Sequence, residues 1–163
     1  MQRTSYVVAI GSNRRHGRYG APAKVVSAAI AAMETAGLVL RARSRTIATP
    51  ALGPAGRSFA NTAVIVETTL DPPALLALLK RIERDFGRRR ARRWGARVLD
   101  LDIILWSGGR WSTGNGLTIP HRAYASRDFV LRPLAEIAPR WRDPRSGLSM
   151  RQLRARLKRH TSG

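Results

Sequence analysis

The chain has 163 residues, 44% of them hydrophobic, and carries 30 Lys and Arg against 10 Asp and Glu for a formal net charge of +20. That length suits one domain with a real core, expected to span residues 1–163 as a single unit. It has no cysteine, which excludes disulfides and thiolate metal sites, and no apolar run approaches the roughly 20 residues needed to span a bilayer.

The first element is "SYVVAIGSN" (5–13), a β-rich run ending in a turn. Its apolar stretch, Tyr6 to Ile10, is too short for a signal-peptide core, so a cytoplasmic protein is expected. A Gly- and Arg-rich loop, "RRHGRYGAP" (14–22), follows. "AKVVSAAIAAMETAG" (23–37) has helical periodicity and closes on Gly37. "LVLRARSRTI" (38–47) alternates in its second half and reads as a strand with one solvated face. "ATPALGPAGRS" (48–58) is a loop punctuated by Pro and Gly, and "FANTAVIVET" (59–68) is a strand.

"DPPALLALLKRIERDFG" (71–87) is the clearest helix. Asp71 supplies the cap, Pro72 and Pro73 occupy the first turn, and Leu75, Leu76, Leu78, Leu79, Ile82 and Phe86 form the apolar stripe. The loop "RRRARRWGAR" (88–97) leads into the strand "VLDLDIILW" (98–106). "SGGRW" has the residues of a hairpin turn. The stretch "LTIPHRAYASRDFVLRPLAEIAP" (117–139) is irregular, then helical near Val130–Ile137. "MRQLRARLKRH" (150–160) is a short basic amphipathic helix. The order β-α-β-β-α-β with a C-terminal extension predicts an α+β, ferredoxin-like sandwich: an antiparallel sheet with two helices on one face. Such a fold by itself carries no function.

The charge favours a polyanionic partner, whether nucleic acid, a membrane surface or a phosphorylated ligand. Of the basic residues only Lys24, Lys80 and Lys158 are lysine. Arginine abundance beside abundant alanine and glycine is also what a GC-rich genome produces, so position decides which arginines matter.

Position singles out residues 88–106. In a strand, residues two apart share a face. Leu99, Leu101, Ile103 and Leu105 are expected to point into the helix-covered core, and Asp100 and Asp102 to point the other way. Two carboxylates so close repel each other unless cations intervene, and they suit one or two Mg²⁺ ions shared with substrate phosphates. A strand whose open face is merely wet would show the same D-x-D. Beside it, Arg88, Arg89, Arg90, Arg92, Arg93 and Arg97 offer planar forks that match phosphate oxygens. The pairing of metal-suited acids with phosphate-suited arginines is what phosphoryl transfer needs; alone, the loop equally fits a solvated or nucleic-acid-binding stretch. No G-x-x-x-x-G-K-[ST] pattern occurs, which argues against a Walker-type site.

Smaller signals lie elsewhere. His121 follows Pro120 and precedes Arg127 and Phe129 at short range, a possible phosphate and ring contact, although a lone histidine is more often structural. Phe129 on general grounds belongs in a core. The Asn61 amide could read a heterocycle edge, or simply be polar at a strand start. Trp94, between Arg93 and Gly95, is odd as a core residue and suits stacking.

Taken together, "AIGSN", "TPALGP", "RIERDFGRRRARRWGARVLDLDIIL" and "LTIPHRAYASRDFVLRPLAEIAP" resemble the hydroxymethyl-dihydropterin pyrophosphokinase family of folate biosynthesis over nearly the whole chain. The resemblance implies an ATP-dependent diphosphotransferase that moves the terminal diphosphoryl group of ATP to the hydroxymethyl oxygen of 6-hydroxymethyl-7,8-dihydropterin and releases AMP. It implies that Asp100 and Asp102 hold two Mg²⁺ ions and that Arg88 and Arg97 are catalytic. Glu83, Arg90, Trp94, Arg97, Ile103, Thr118, His121 and Arg127 fall at ATP positions. Thr49, Leu52, Phe59, Asn61, Trp94 and Phe129 fall at pterin positions, with Phe129 stacking on the ring. ATP and the pterin are then the partners of a monomer, with no specific nucleic acid and no membrane. Ala96, Arg122 and Arg132 depart from the family's usual residues.

An RNA-recognition module shares the element order and would suit the charge. Its exposed-aromatic pattern is missing from "FANTAVIVE" and "YVVAIGSN", and two acids on the fourth strand would repel an RNA backbone.

Overall fold

The structure, a computed structural model, describes residues 2–13, 21–49, 59–87, 98–114 and 116–162. In chain order the elements are β1 (Thr4–Ser12), α1 (Pro22–Thr35), β2 (Val39–Arg43), β3 (Ile47–Thr49), β4 (Phe59–Thr68), α2 (Pro72–Gly87), β5 (Asp100–Trp106), β6 (Trp111–Ser112), β7 (Thr118–Ile119), a 3-10 turn (Tyr124–Ser126), α3 (Asp128–Ile137) and α4 (Met150–Ser162). The main sheet is antiparallel with order β2-β4-β1-β5, and β3 lies on β4 as well. The ferredoxin-like α+β class expected from the element order is the class observed.

Local chemistry sets the ends of the helices. Asp71 Oδ1 accepts from the Ala74 N–H at 3.0 Å, capping α2. After α1 the chain reverses at Gly37, whose φ of +101° is one that residues with a Cβ rarely adopt. There the Leu38 N–H donates to Met33 O at 3.1 Å, closing the last turn. Among the described residues, no helix is long and apolar enough to cross a membrane.

Helices α1 and α2 cover one face of the sheet. Val26, Ile30, Leu75, Leu79 and Ile82 pack there with Tyr6, Val8, Ile10, Val64 and Leu101. The second face is not left open, as a two-layer sandwich would leave it. Leu131 and Leu134 of α3 and Met150 and Leu153 of α4 bury Val7, Ala63 and Ile104. This second layer covers only part of that face.

Three expectations need correcting. Leu105 packs with the α3/α4 cluster rather than with Leu99, Leu101 and Ile103. The register of β1 on β5 slips between Val7 and Val8, which face Leu105 and Ile103. The extra residue shifts the side-chain alternation by one. The single strand expected over 38–47 is two strands, β2 and β3. At the break, Ser44 Oγ accepts from the Ala63 N–H at 2.8 Å while the Ser44 N–H donates to Ala63 O at 2.9 Å. A side-chain hydroxyl has replaced a backbone partner, and the ladder stops. At "SGGRW" the Gly109 N–H donates to Trp106 O at 3.0 Å, but the chain does not return along β5. Trp111–Ser112 pairs instead with Thr118–Ile119 in a separate two-stranded sheet.

Candidate active site

The cleft lies where the α3/α4 layer ends. Asp100, Asp102, Asn61 and Gly11 come from strands β5, β4 and β1, and Arg127, Phe129 and Val130 from the start of α3. With Phe59 and the 9–13 segment they line a cavity of 420 Å³, a size suited to a small-molecule ligand.

Sheet register explains the floor. Gly11 pairs with Asn61 on one side and with Asp100 on the other, and Ala9 with Asp102. A Cβ on Gly11 would stand 3.2 Å from Asn61 Oδ1, so the glycine lets the amide lie close to the central strand. Asp100 is half-buried and Asp102 exposed, between buried neighbours Leu101 and Ile103. The two carboxylates therefore share the open face, as period-two alternation predicts.

The walls are aromatic. Phe59 is 42% exposed and Phe129 49%, the two large apolar side chains left exposed among the described residues, and both line this cleft. Phe129 is thus not the core residue that its type alone would make it. Apolar rings left in water around a concave site mark a place for a flat apolar partner.

Behind the floor, Glu83 of α2 accepts the Leu101 N–H on Oε2 at 2.7 Å, while its Oε1 lies 3.3 Å from Lys80 Nζ. Its side chain is only 11% exposed. The carboxylate is committed to bracing β5 midway between Asp100 and Asp102.

His121 hangs beside β5. Its backbone N–H donates to Ile104 O at 3.0 Å, and its Nδ1 accepts from the Ala123 N–H at 3.2 Å. That bond leaves Nε2 as the protonated nitrogen of the neutral ring. Burial pushes the imidazole below its ordinary pKa of 6.5; the Asp102 charge opposes this, and Arg127 and Arg145 reinforce it. His121 is thus electrostatically coupled to two residues of the cleft.

The His121 segment is itself held from below. The Tyr124 O–H donates to Asp143 Oδ2 at 2.6 Å, the Arg145 N–H donates to Asp143 Oδ1 at 2.6 Å, and Arg145 Nη2 donates to His121 O at 3.3 Å. Tyr124 is fully buried and Asp143 nearly so. Burial, together with the Asp143 carboxylate, pushes the Tyr124 phenol well up. For Asp143, burial favours the neutral form, but the bonds from Tyr124 and Arg145 outweigh it and hold the carboxyl below its ordinary range.

Of the residues expected at a site, Phe59, Asn61, Asp100, Asp102, Arg127 and Phe129 come together in one cleft. Glu83, Thr118 and His121 stand outside its lining, and the Ile103 side chain is buried in the α1/α2 core. Thr49 pairs with Phe59 at the end of β3. Leu52, Arg88, Arg90, Trp94 and Arg97 lie outside the described residues. Gly11, Ser12, Asn13 and Val130 line the cleft without having been singled out as site residues. The signal for the first three was the "GSN" closing the first strand; Asn13 Oδ1 is buried there with no hydrogen-bond partner among the described residues.

Fold and cleft together define a class: a ferredoxin-like α+β domain with a ligand cleft whose floor carries two carboxylates and whose walls carry aromatic rings. Within that class, the family model described as 7,8-dihydro-6-hydroxymethylpterin-pyrophosphokinase (HPPK) matches residues 7–139, and the chain belongs to this family. A 2-amino-4-hydroxy-6-hydroxymethyldihydropteridine pyrophosphokinase of Synechocystis is 50% identical over 103 residues, covering 63% of this chain and 52% of that protein. Its counterpart in Pseudomonas aeruginosa is 40% identical over 139 residues, covering 84% and 82%. The chain thus spans about half the length of some curated relatives and most of others. A crystal structure of Plasmodium falciparum HPPK-DHPS superposes with a TM-score of 0.69 at 14% identity, over 95% of this chain and 44% of that one; this likeness concerns the fold alone.

Proposed function

We propose that this protein is a cytoplasmic, monomeric pyrophosphokinase of folate biosynthesis that transfers the terminal diphosphoryl group of ATP to 6-hydroxymethyl-7,8-dihydropterin. The hydroxymethyl oxygen attacks the β-phosphorus, the bond from that phosphorus to the α–β bridging oxygen breaks, AMP leaves with that oxygen, and the hydroxyl proton passes to solvent. The observation that carries this reading is the placing of Asp100 and Asp102 on the floor of a cleft walled by Phe59 and Phe129. A polyphosphate and a flat heterocycle need those two kinds of surface side by side.

The donor set fits Mg²⁺. Among the described residues no group of three or more His, Cys, Asp or Glu forms a closed metal cage. Two carboxylates that leave the remaining positions to water and phosphate oxygens are the arrangement hard Mg²⁺ accepts. When bound, two such ions would neutralise phosphate charge and lower the pKa of the attacking hydroxyl. Asp100 and Asp102 would hold them. Phe129 and Phe59 would grip the pterin ring, and Asn61, held close by Gly11, would bond its edge. Arg127 would meet phosphate at the cleft mouth. His121, whose Nδ1 already accepts the Ala123 N–H, would donate a hydrogen bond to phosphate from Nε2. On this reading Arg88 and Arg97 supply further guanidinium groups to the transferring phosphoryl oxygens, and Trp94, Arg90 and Leu52 complete the two substrate pockets.

The deciding experiment supplies ATP, Mg²⁺ and the pterin and follows AMP. AMP and pterin diphosphate should appear in equal amounts. Steady ATP consumption that yields ADP, or no turnover with a folded protein, would reject the reading.

A further inference from the structure

A second cleft, of 590 Å³, opens between β3 and helices α3 and α4, and shares no lining residue with the catalytic one. Its lining carries Arg45, Arg132 and Arg154 beside a smaller apolar part that includes Ile47 and Pro133, and Glu136 is its only acid among the described residues. Glu136 is already engaged: Oε2 accepts the Arg45 N–H at 2.7 Å, and Oε1 lies 3.7 Å from Arg45 Nε. That leaves Arg132 and Arg154 without a carboxylate partner among the described residues. Arg154 Nε is moreover buried with no hydrogen-bond partner among them. A buried donor left unmet is costly, and on a guanidinium it calls for an acceptor, best an anionic one.

We propose that this cleft is a binding site for a phosphate monoester dianion. One carboxylate against three guanidinium groups leaves an excess of two positive charges, which such a dianion balances. Arg132 and Arg154 meet its oxygens, and the smaller apolar part with Ile47 and Pro133 takes the organic body. The cavity admits a compact ligand such as a mononucleotide.

The arginine side-chain Nε–H resonances read this directly, whatever the protein catalyses. Inorganic phosphate and AMP are each titrated into the intact chain. The Arg154 Nε–H signal should shift saturably with both. AMP should act at the lower concentration, because the organic body is recognised as well; if the two act alike, the cleft binds only the anion and the monoester assignment falls. Arg132→Gln, an exposed change that leaves the core intact, and Arg154→Met, followed on the Arg132 Nε–H signal, should each weaken binding about tenfold. Arg140→Gln, which removes equal charge outside the cleft, should not. An Arg154 signal unmoved by either probe, or equal weakening in Arg140→Gln, would overturn the proposal and leave only diffuse attraction to a basic surface.

Discussion

The Leu101 N–H donates to Glu83 Oε2 at 2.7 Å, so a residue of α2 holds the strand at the point between the two cleft aspartates. Strand β5 is at the edge of the sheet, and Glu83 satisfies a donor that no neighbouring strand meets. Glu83→Gln preserves an acceptor, whereas Glu83→Ala leaves the Leu101 donor unmet at a cost of about 1–3 kcal/mol. Glu83→Ala should therefore lower the melting temperature and reduce turnover, with Glu83→Gln close to wild type in melting. Equal melting of all three proteins would show that the brace carries no load.

Asp100→Ala and Asp102→Ala should each abolish turnover while the far-ultraviolet spectrum stays native. Both side chains lie on the open face and contribute little to either core. Each change removes an oxygen donor from the cleft floor and leaves phosphate charge uncompensated. Wild-type rates in either purified variant would remove the metal-binding role.

Phe129→Ala should weaken pterin binding by about 1–3 kcal/mol through lost burial and stacking, and nucleotide binding much less. Because the ring is half exposed in the free protein, its loss should barely alter melting. Calorimetry showing equal losses for both ligands, or a large fall in stability, would return Phe129 to the core.

Acid should loosen the His121 segment first. His121 titrates below its ordinary 6.5 in the folded chain, so the unfolded chain binds the proton more readily. Its contribution is complete above 6.5 and is lost as pH falls through the depressed value. Asp143, also depressed, contributes above the ordinary carboxylate value of 3.8 and loses that contribution as pH falls through its lower folded value. Tyr124→Phe removes one of the bonds that hold Asp143 down, at about 1–3 kcal/mol. Melting curves across this range should show the variant's deficit at neutral pH and its shrinkage in acid. A deficit independent of pH would mean that the phenol matters for packing alone.

The sequence exposed what depends on local period and lost what depends on long-range partners. Asp100 and Asp102 were legible because alternation holds across them, and Leu105 was misassigned because the bulge beyond Ile103 leaves no mark in residue type. The cap at Asp71 and the reversal at Gly37 are short-range chemistry and were readable. The Ser44 interruption needs Ala63, nineteen positions away. The Tyr124–Asp143–Arg145 network needs a partner segment about twenty positions away, between the last two helices, whose residue types carry no periodic signal. Phe129 was ambiguous for a related reason: residue type predicts burial, and only the edge of the α3/α4 layer reveals that the ring lies beyond it.

At that edge one helix serves both the packed interior and the cleft wall. Phe129 forms a cleft wall from the first turn of the same short helix whose Leu131 and Leu134 are fully buried in the α3/α4 cluster. Helix α3 therefore has the cleft at one end and the packed interior along its buried side. Leu131→Ala, which should cost about 2–5 kcal/mol, will also let the helix settle and change the gap between Phe129 and Phe59. Repacking that interior for a hotter working temperature should therefore also reset the width of the cleft between its two rings.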